Sequence, residues 1–157
     1  MYKYILKEGD YPLFYFTTRY GLEYAVSFKR MDFDNDFFKK LYAIDFYESN
    51  NQKFFSDPLI EVTIITIIND YFKINPDIIL NYVCDNVDFK QDFRQKLFDK
   101  WYRNTLNNKF AKINFQYEAI DYDLIYHVSF IFKAVFYNID EVIEKVNLEL
   151  ENFANFK

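Results

Sequence analysis

Glycine and proline are scarce in this 157-residue chain, at two and three copies, so hinge positions are few and no glycine-rich loop offers to cradle a phosphate. That absence argues against dinucleotide-binding and nucleotide-hydrolase folds. Cysteine occurs once, as Cys84, which excludes an internal disulfide. The opening stretch MYKYILKEGDYPLF lacks the apolar core of an export signal, and together these features predict a reducing, cytoplasmic setting. Histidine is also single, so no cysteine and histidine cluster offers a zinc site. Long hydrophobic runs are missing too. The longest, Val62 to Ile68, is interrupted by Thr63 and Thr66 and falls far short of the roughly 20 residues that span a bilayer. No cofactor, no metal and no membrane is therefore expected.

What is abundant is aromatic. Twenty Phe and fifteen Tyr bring the aromatic share to 23% and the hydrophobic share to 51%, far above what a disordered segment carries. AT-rich coding leaves a similar signature, so this richness speaks first for a bulky core. The length suits one domain over residues 1–157. Net charge is −5, which argues against indiscriminate nucleic-acid binding by the whole surface. The charge is uneven, however. Lys90, Arg94, Lys96, Lys100, Arg103, Lys109 and Lys112 face only Asp92 and Asp99 over that stretch, a local +5.

Hydrophobic periodicity orders the chain. Leu13 to Thr17 reads as a strand, and Tyr24, Val26 and Phe28 alternate with smaller or polar neighbours, so Tyr20-Gly21 turns a hairpin. Ile44 and Phe46 continue the alternation. Asp57-Pro58 opens a helix in which Ile60, Ile64, Ile67, Ile68, Tyr71 and Phe72 share a face. Asn75-Pro76-Asp77 repeats that start signal and predicts a short second helix through Ile79 and Val83, with a third helix from about Phe89 to Arg103. Ile113, Phe115 and Tyr117 and then Leu124 to Phe136 form another hairpin. A last helix follows, with Asn138 as cap and Ile139, Val142, Ile143, Val146 and Leu150 on one stripe. These elements predict an α+β fold: an antiparallel sheet of about five strands with a three-helix insertion and a C-terminal helix packed on it, the helices lying on one face.

The third helix carries an anomaly. On a helical wheel Phe89, Phe93, Leu97, Phe98, Trp101 and Tyr102 sweep an apolar arc of roughly 220°, with Arg94 inside it and Gln91 between Phe98 and Tyr102. A guanidinium stays charged, so Arg94 needs a carboxylate, carbonyls or a bound anion. Asp85 and Asp88 are the nearest candidates in sequence. One reading is a structural salt bridge, whose rupture would cost about 3–5 kcal/mol; the other is a ligand or partner site, in which Arg94→Ala leaves the fold intact.

Other candidates have plain structural readings. His127 is in phase with Ile125, Ser129 and Ile131 and reads as an ordinary sheet residue. Cys84 ends an apolar run and reads as packing. The Asp85 and Asp88 carboxylates have a spacing that could bind magnesium, but helix capping explains them more simply.

The stretch from Thr63 to Tyr102 resembles a family of small bacterial proteins, a domain of unknown function. In that family a TIxxII helix, an NP turn, a CDxxD stretch and an RxxxFxxW helix follow one another. The matching positions are Thr63, Ile64, Ile67, Ile68, Asn75, Pro76, Cys84, Asp85, Asp88, Gln91, Arg94, Phe98 and Trp101. Where the family pattern places an arginine-glutamine pair and a further basic residue, Lys90-Gln91 and Lys96 stand here, so charge is kept without bidentate arginine geometry. The resemblance implies a fold and no activity.

The expected function is therefore non-catalytic: a protein-interaction or regulatory module, such as an immunity, antitoxin-like or defence accessory component, that binds a protein partner or a second copy of itself. Its expected binding group is Asp85, Asp88, Gln91, Arg94, Lys96 and Trp101. The alternative is RNA, single-strand DNA or nucleotide binding through the basic helix around residues 90–103, with Trp101 or Tyr102 stacking a base.

Overall fold

The computed structural model describes residues 1–49, 57–84, 91–104, 109–119 and 124–155. Among the described residues, seven strands form one sheet: β1 (Tyr4–Lys7), β2 (Leu13–Thr17), β3 (Glu23–Arg30), β4 (Leu41–Glu48), β5 (Ile79–Cys84), β6 (Phe110–Ala119) and β7 (Leu124–Lys133). Their spatial order is β1-β2-β3-β4-β5-β7-β6. Among the same residues three helices accompany them, α1 (Pro58–Ile74), α2 (Gln91–Asn104) and α3 (Ile139–Asn155), with a short 3-10 turn at Asp36–Phe38.

The α+β class stands, and the finer expectations are corrected. The sheet has seven strands rather than five and is mixed, because β4 and β5 run parallel. A parallel neighbour needs a crossover, and α1 supplies it. The predicted short helix after Asn75-Pro76 is the central strand β5. Its run Ile78-Ile79-Leu80 is buried on both faces, and a short continuous apolar run of that kind has no period to separate strand from helix. The other missed strand, β1, is an edge strand of four residues whose Ile5 and Leu6 are both exposed, so it shows no alternation. The insertion thus holds two helices with a strand between them.

Local signals act where expected. The Asp57 carboxylate accepts the Leu59 N–H at 3.0 Å ahead of Pro58, and Asn138 Oδ1 accepts the Glu141 N–H at 3.1 Å. Gly21 takes a φ of +77° in the β2–β3 turn, a conformation that costs glycine little.

Helices cover both faces, not one. On the first face, α1 and α2 bury Ile60, Ile64, Ile68, Phe72, Phe98 and Trp101 against Phe14, Phe28, Phe46, Leu80 and Tyr82. On the second, α3 lays Val142 and Val146 over Leu41, Ile79, Ala111, Phe130 and Phe132. Among the described residues, that second cluster includes none from β1, β2 or β3. No helix among them is long and apolar enough to cross a membrane.

Candidate functional site

Arg94 has found a carboxylate, on a strand far away in sequence. Its side chain is 14% exposed and Nη2 lies 3.3 Å from Asp45 Oδ1 on β4, with the guanidinium carbon 5.6 Å from the centre of the Phe46 ring. Strands β4 and β5 pair only from Leu41 to Ala43 and Ile79 to Asn81, and Arg94 reaches β4 beyond the last paired residue. Asp45 is 60% exposed, so water screens this ion pair. Asp85 and Asp88, the partners expected from sequence, lie outside the described residues.

The rest of the expected group is dispersed. Gln91 opens α2, Lys96 is exposed, and Trp101 is fully buried, with its indole N–H donating to Asn69 Oδ1 at 2.9 Å and its ring stacked on Phe72. Several charges of the basic stretch are already engaged. Lys100 Nζ lies 2.6 Å from Glu61 on α1, and Lys112 bonds Asp99.

A second arrangement escaped sequence reading. Residues paired directly across antiparallel strands share a face, so the register sets Tyr82, Ser129 and Asn114 in one row. It sets Leu80, Ile131 and Lys112 in the next row, and His127 with Gln116 in a third. The α2 side of β6 thus reads Phe110, Lys112, Asn114, Gln116, while the opposite side contributes Ala111, Ile113 and Phe115 to the core under α3. Above this polar floor stand Gln95 and Asp99 of α2. Together with Tyr82, His127 and Ser129 they enclose a cleft of about 220 Å³.

Lys112 is the cleft's buried charge, its side chain 8% exposed beside Asp99 at 43%. Burial alone would depress the ammonium, but its bonds to Asp99 and Tyr82 outweigh that and hold it above its ordinary value. Ser129 Oγ donates to Asn114 Oδ1 at 2.6 Å, which leaves the Asn114 amide hydrogens for another acceptor. The available signal was β6 itself, whose alternation puts Lys112, Asn114 and Gln116 on one face, with Lys112 reaching α2.

The open half of the sheet's second face is a third feature. Ile5, Tyr15, Ala25 and Tyr47 form a continuous row across β1, β2, β3 and β4, in which Ala25 is fully buried and Tyr15 half-buried. Ile5 is 70% exposed and Tyr47 37%, with Tyr11 nearby at 40%. Partial burial, then the neighbouring Tyr15, Tyr11 and Asp45, raise the Tyr47 phenol above its ordinary value.

Comparison with known proteins adds the following. Residues 56–148 match the model of a family described as "Family of unknown function (DUF6169)". One solved structure, described as "Crystal structure of a putative phosphinothricin N-acetyltransferase", is similar at 14% identity and a TM-score of 0.49, over 80% of this chain and 73% of that one. No curated protein matches the sequence.

Proposed function

The chain belongs to the DUF6169 family, whose function is unknown, and we propose from its geometry that it is a non-catalytic protein-interaction module docking through the open half of its sheet. The observation that carries this reading is the row Ile5, Tyr15, Ala25, Tyr47, in which Ala25 is buried and Ile5 and Tyr47 are exposed, beside an α3 cluster that reaches Leu41, Phe38 and Met31 but no residue of β1, β2 or β3 among those described. Tyrosine-rich patches suit interfaces, since each ring adds large contact area for little lost rotamer freedom. The β1 edge adds unpaired backbone groups that another strand could use.

RNA, single-strand DNA or nucleotide binding through the basic helix has less behind it. Trp101 lies in the core and offers no surface to a base, and Arg94 and Lys100 are in ion pairs with Asp45 and Glu61.

The test is association state by light scattering, together with capture of a specific protein from host lysate treated with nuclease. Wild type is compared with the double variant Ile5→Lys, Tyr47→Ala. Ile5 is largely exposed and Tyr47 partly so, and far-UV circular dichroism of the variant checks its fold before binding is read. The reading predicts a dimer, or one retained protein, that the variant loses. A wild-type protein that is strictly monomeric and retains nothing refutes it.

A further inference from the structure

We infer that the cleft between α2 and the β5–β7–β6 floor is a binding site for a small oxyanion, a carboxylate or phosphate group carried by an organic molecule, with Lys112 as its charge anchor. A sheet face that packs under a helix is ordinarily apolar, and a buried polar side chain there departs from the pattern that folding alone favours. Here Lys112, 8% exposed, and the buried Ser129 break it on two adjacent strands, Asn114 and His127 continue the polar row where the face opens to solvent, and the other face of β6 keeps Ala111, Ile113 and Phe115 in the core.

The donors set the ligand's chemistry. A lysine side chain that is 8% exposed requires a counter-charge. Asp99 supplies one from the helix wall, yet it is itself 43% exposed and can turn to water. The Lys112 ammonium and the Asn114 amide, whose hydrogens have no partner among the described residues, then present donors to one space, with the His127 imidazole lining the same cleft two register rows from Lys112. Tyr82, stacked on Phe98 at 3.8 Å, gives that space an aromatic wall for the ligand's carbon skeleton. Asp99 occupies the place that the incoming anion would take beside Lys112, acting as an internal competitor.

The experiment is an NMR titration of isotope-labelled protein with inorganic phosphate, and separately with acetate. Ionic strength is held constant with chloride, and the Lys112 ammonium, Asn114 amide and His127 ring signals are read. Saturable shifts of these groups with at least one probe are expected in wild type. Asp99→Asn removes the competitor and should tighten binding about fivefold, the scale of one partly exposed ion pair. Lys112→Met should abolish the response. Asn114→Asp, at an exposed position, keeps the fold and should abolish it too by placing a like charge on the floor. Unsaturable shifts with both probes in wild type and Asp99→Asn alike, or an affinity that Asp99→Asn leaves unchanged, overturn the assignment. Failure of the sheet-docking reading would leave this result untouched, because the two surfaces share no residue.

Discussion

Tyr82 of β5 and Phe98 of α2 stack face to face, their centroids 3.8 Å apart and their planes within 8°. The contact joins the central strand to the helix that carries Arg94, and Phe98 also reaches Phe46 on β4 at 6.1 Å. One side chain thus spans two parallel strands whose pairing has ended.

Phe98→Ala should therefore destabilise the protein by about 3–5 kcal/mol, the cost of emptying a buried aromatic site. Urea unfolding reads it as a lower midpoint at unchanged slope. A loss under about 1 kcal/mol would mean that α2 contributes little to the core.

Asn69→Ala leaves the buried Trp101 indole without the acceptor it has at 2.9 Å, and a buried polar group that loses its partner costs about 1–3 kcal/mol. Tryptophan fluorescence under urea is a clean readout, since Trp101 is the chain's single tryptophan. A variant as stable as wild type would show that water takes the acceptor's place.

Asp45→Asn should cost less than about 1 kcal/mol, because the Asp45 side chain is 60% exposed and screened. The fold should therefore survive, and far-UV circular dichroism of the variant should match wild type. An unfolded Asp45→Asn protein would instead give this pair the weight of a buried salt bridge.

Acid tests the other end of the sheet. The Tyr2 hydroxyl donates to the Asp57 carboxylate and holds its pKa below the ordinary value, against the opposing pull of desolvation and with help from the Leu59 N–H and Arg19. A carboxyl depressed in the folded state contributes stability that is fully present above its unfolded pKa and lost as pH falls through the folded one. Tyr2→Phe should lower the urea midpoint at neutral pH, and the gap from wild type should close as pH drops below the ordinary aspartate range. A gap that is constant across that range would assign the loss to packing instead.

Much of the fold was legible because it was written locally. The Asp57-Pro58 start, the Asn138 cap, the Tyr20-Gly21 turn and the period-3.6 faces of α1 and α3 each depend on residues within a few positions of one another. Strand β5 was not, because burial on both faces removes the alternation that marks a strand. Of the expected binding group, the anomaly of Arg94 was legible and its partner was not. Asp45 lies 49 residues away and meets it only once the sheet has formed.

The amino-acid sequence by itself determined the class of the fold, the starts of α1 and α3 and the need of Arg94 for a counter-charge, since propensity, capping and periodicity act over short range. Tertiary structure alone decided the rest. Strand order brought Lys112 of β6 beside Asp99 of α2 and into one cleft with His127 of β7, and it buried Trp101 while leaving Ile5, Tyr15 and Tyr47 in a row beyond the α3 cluster. Those neighbours come from strand register and helix packing, which arise when distant segments bury apolar surface together.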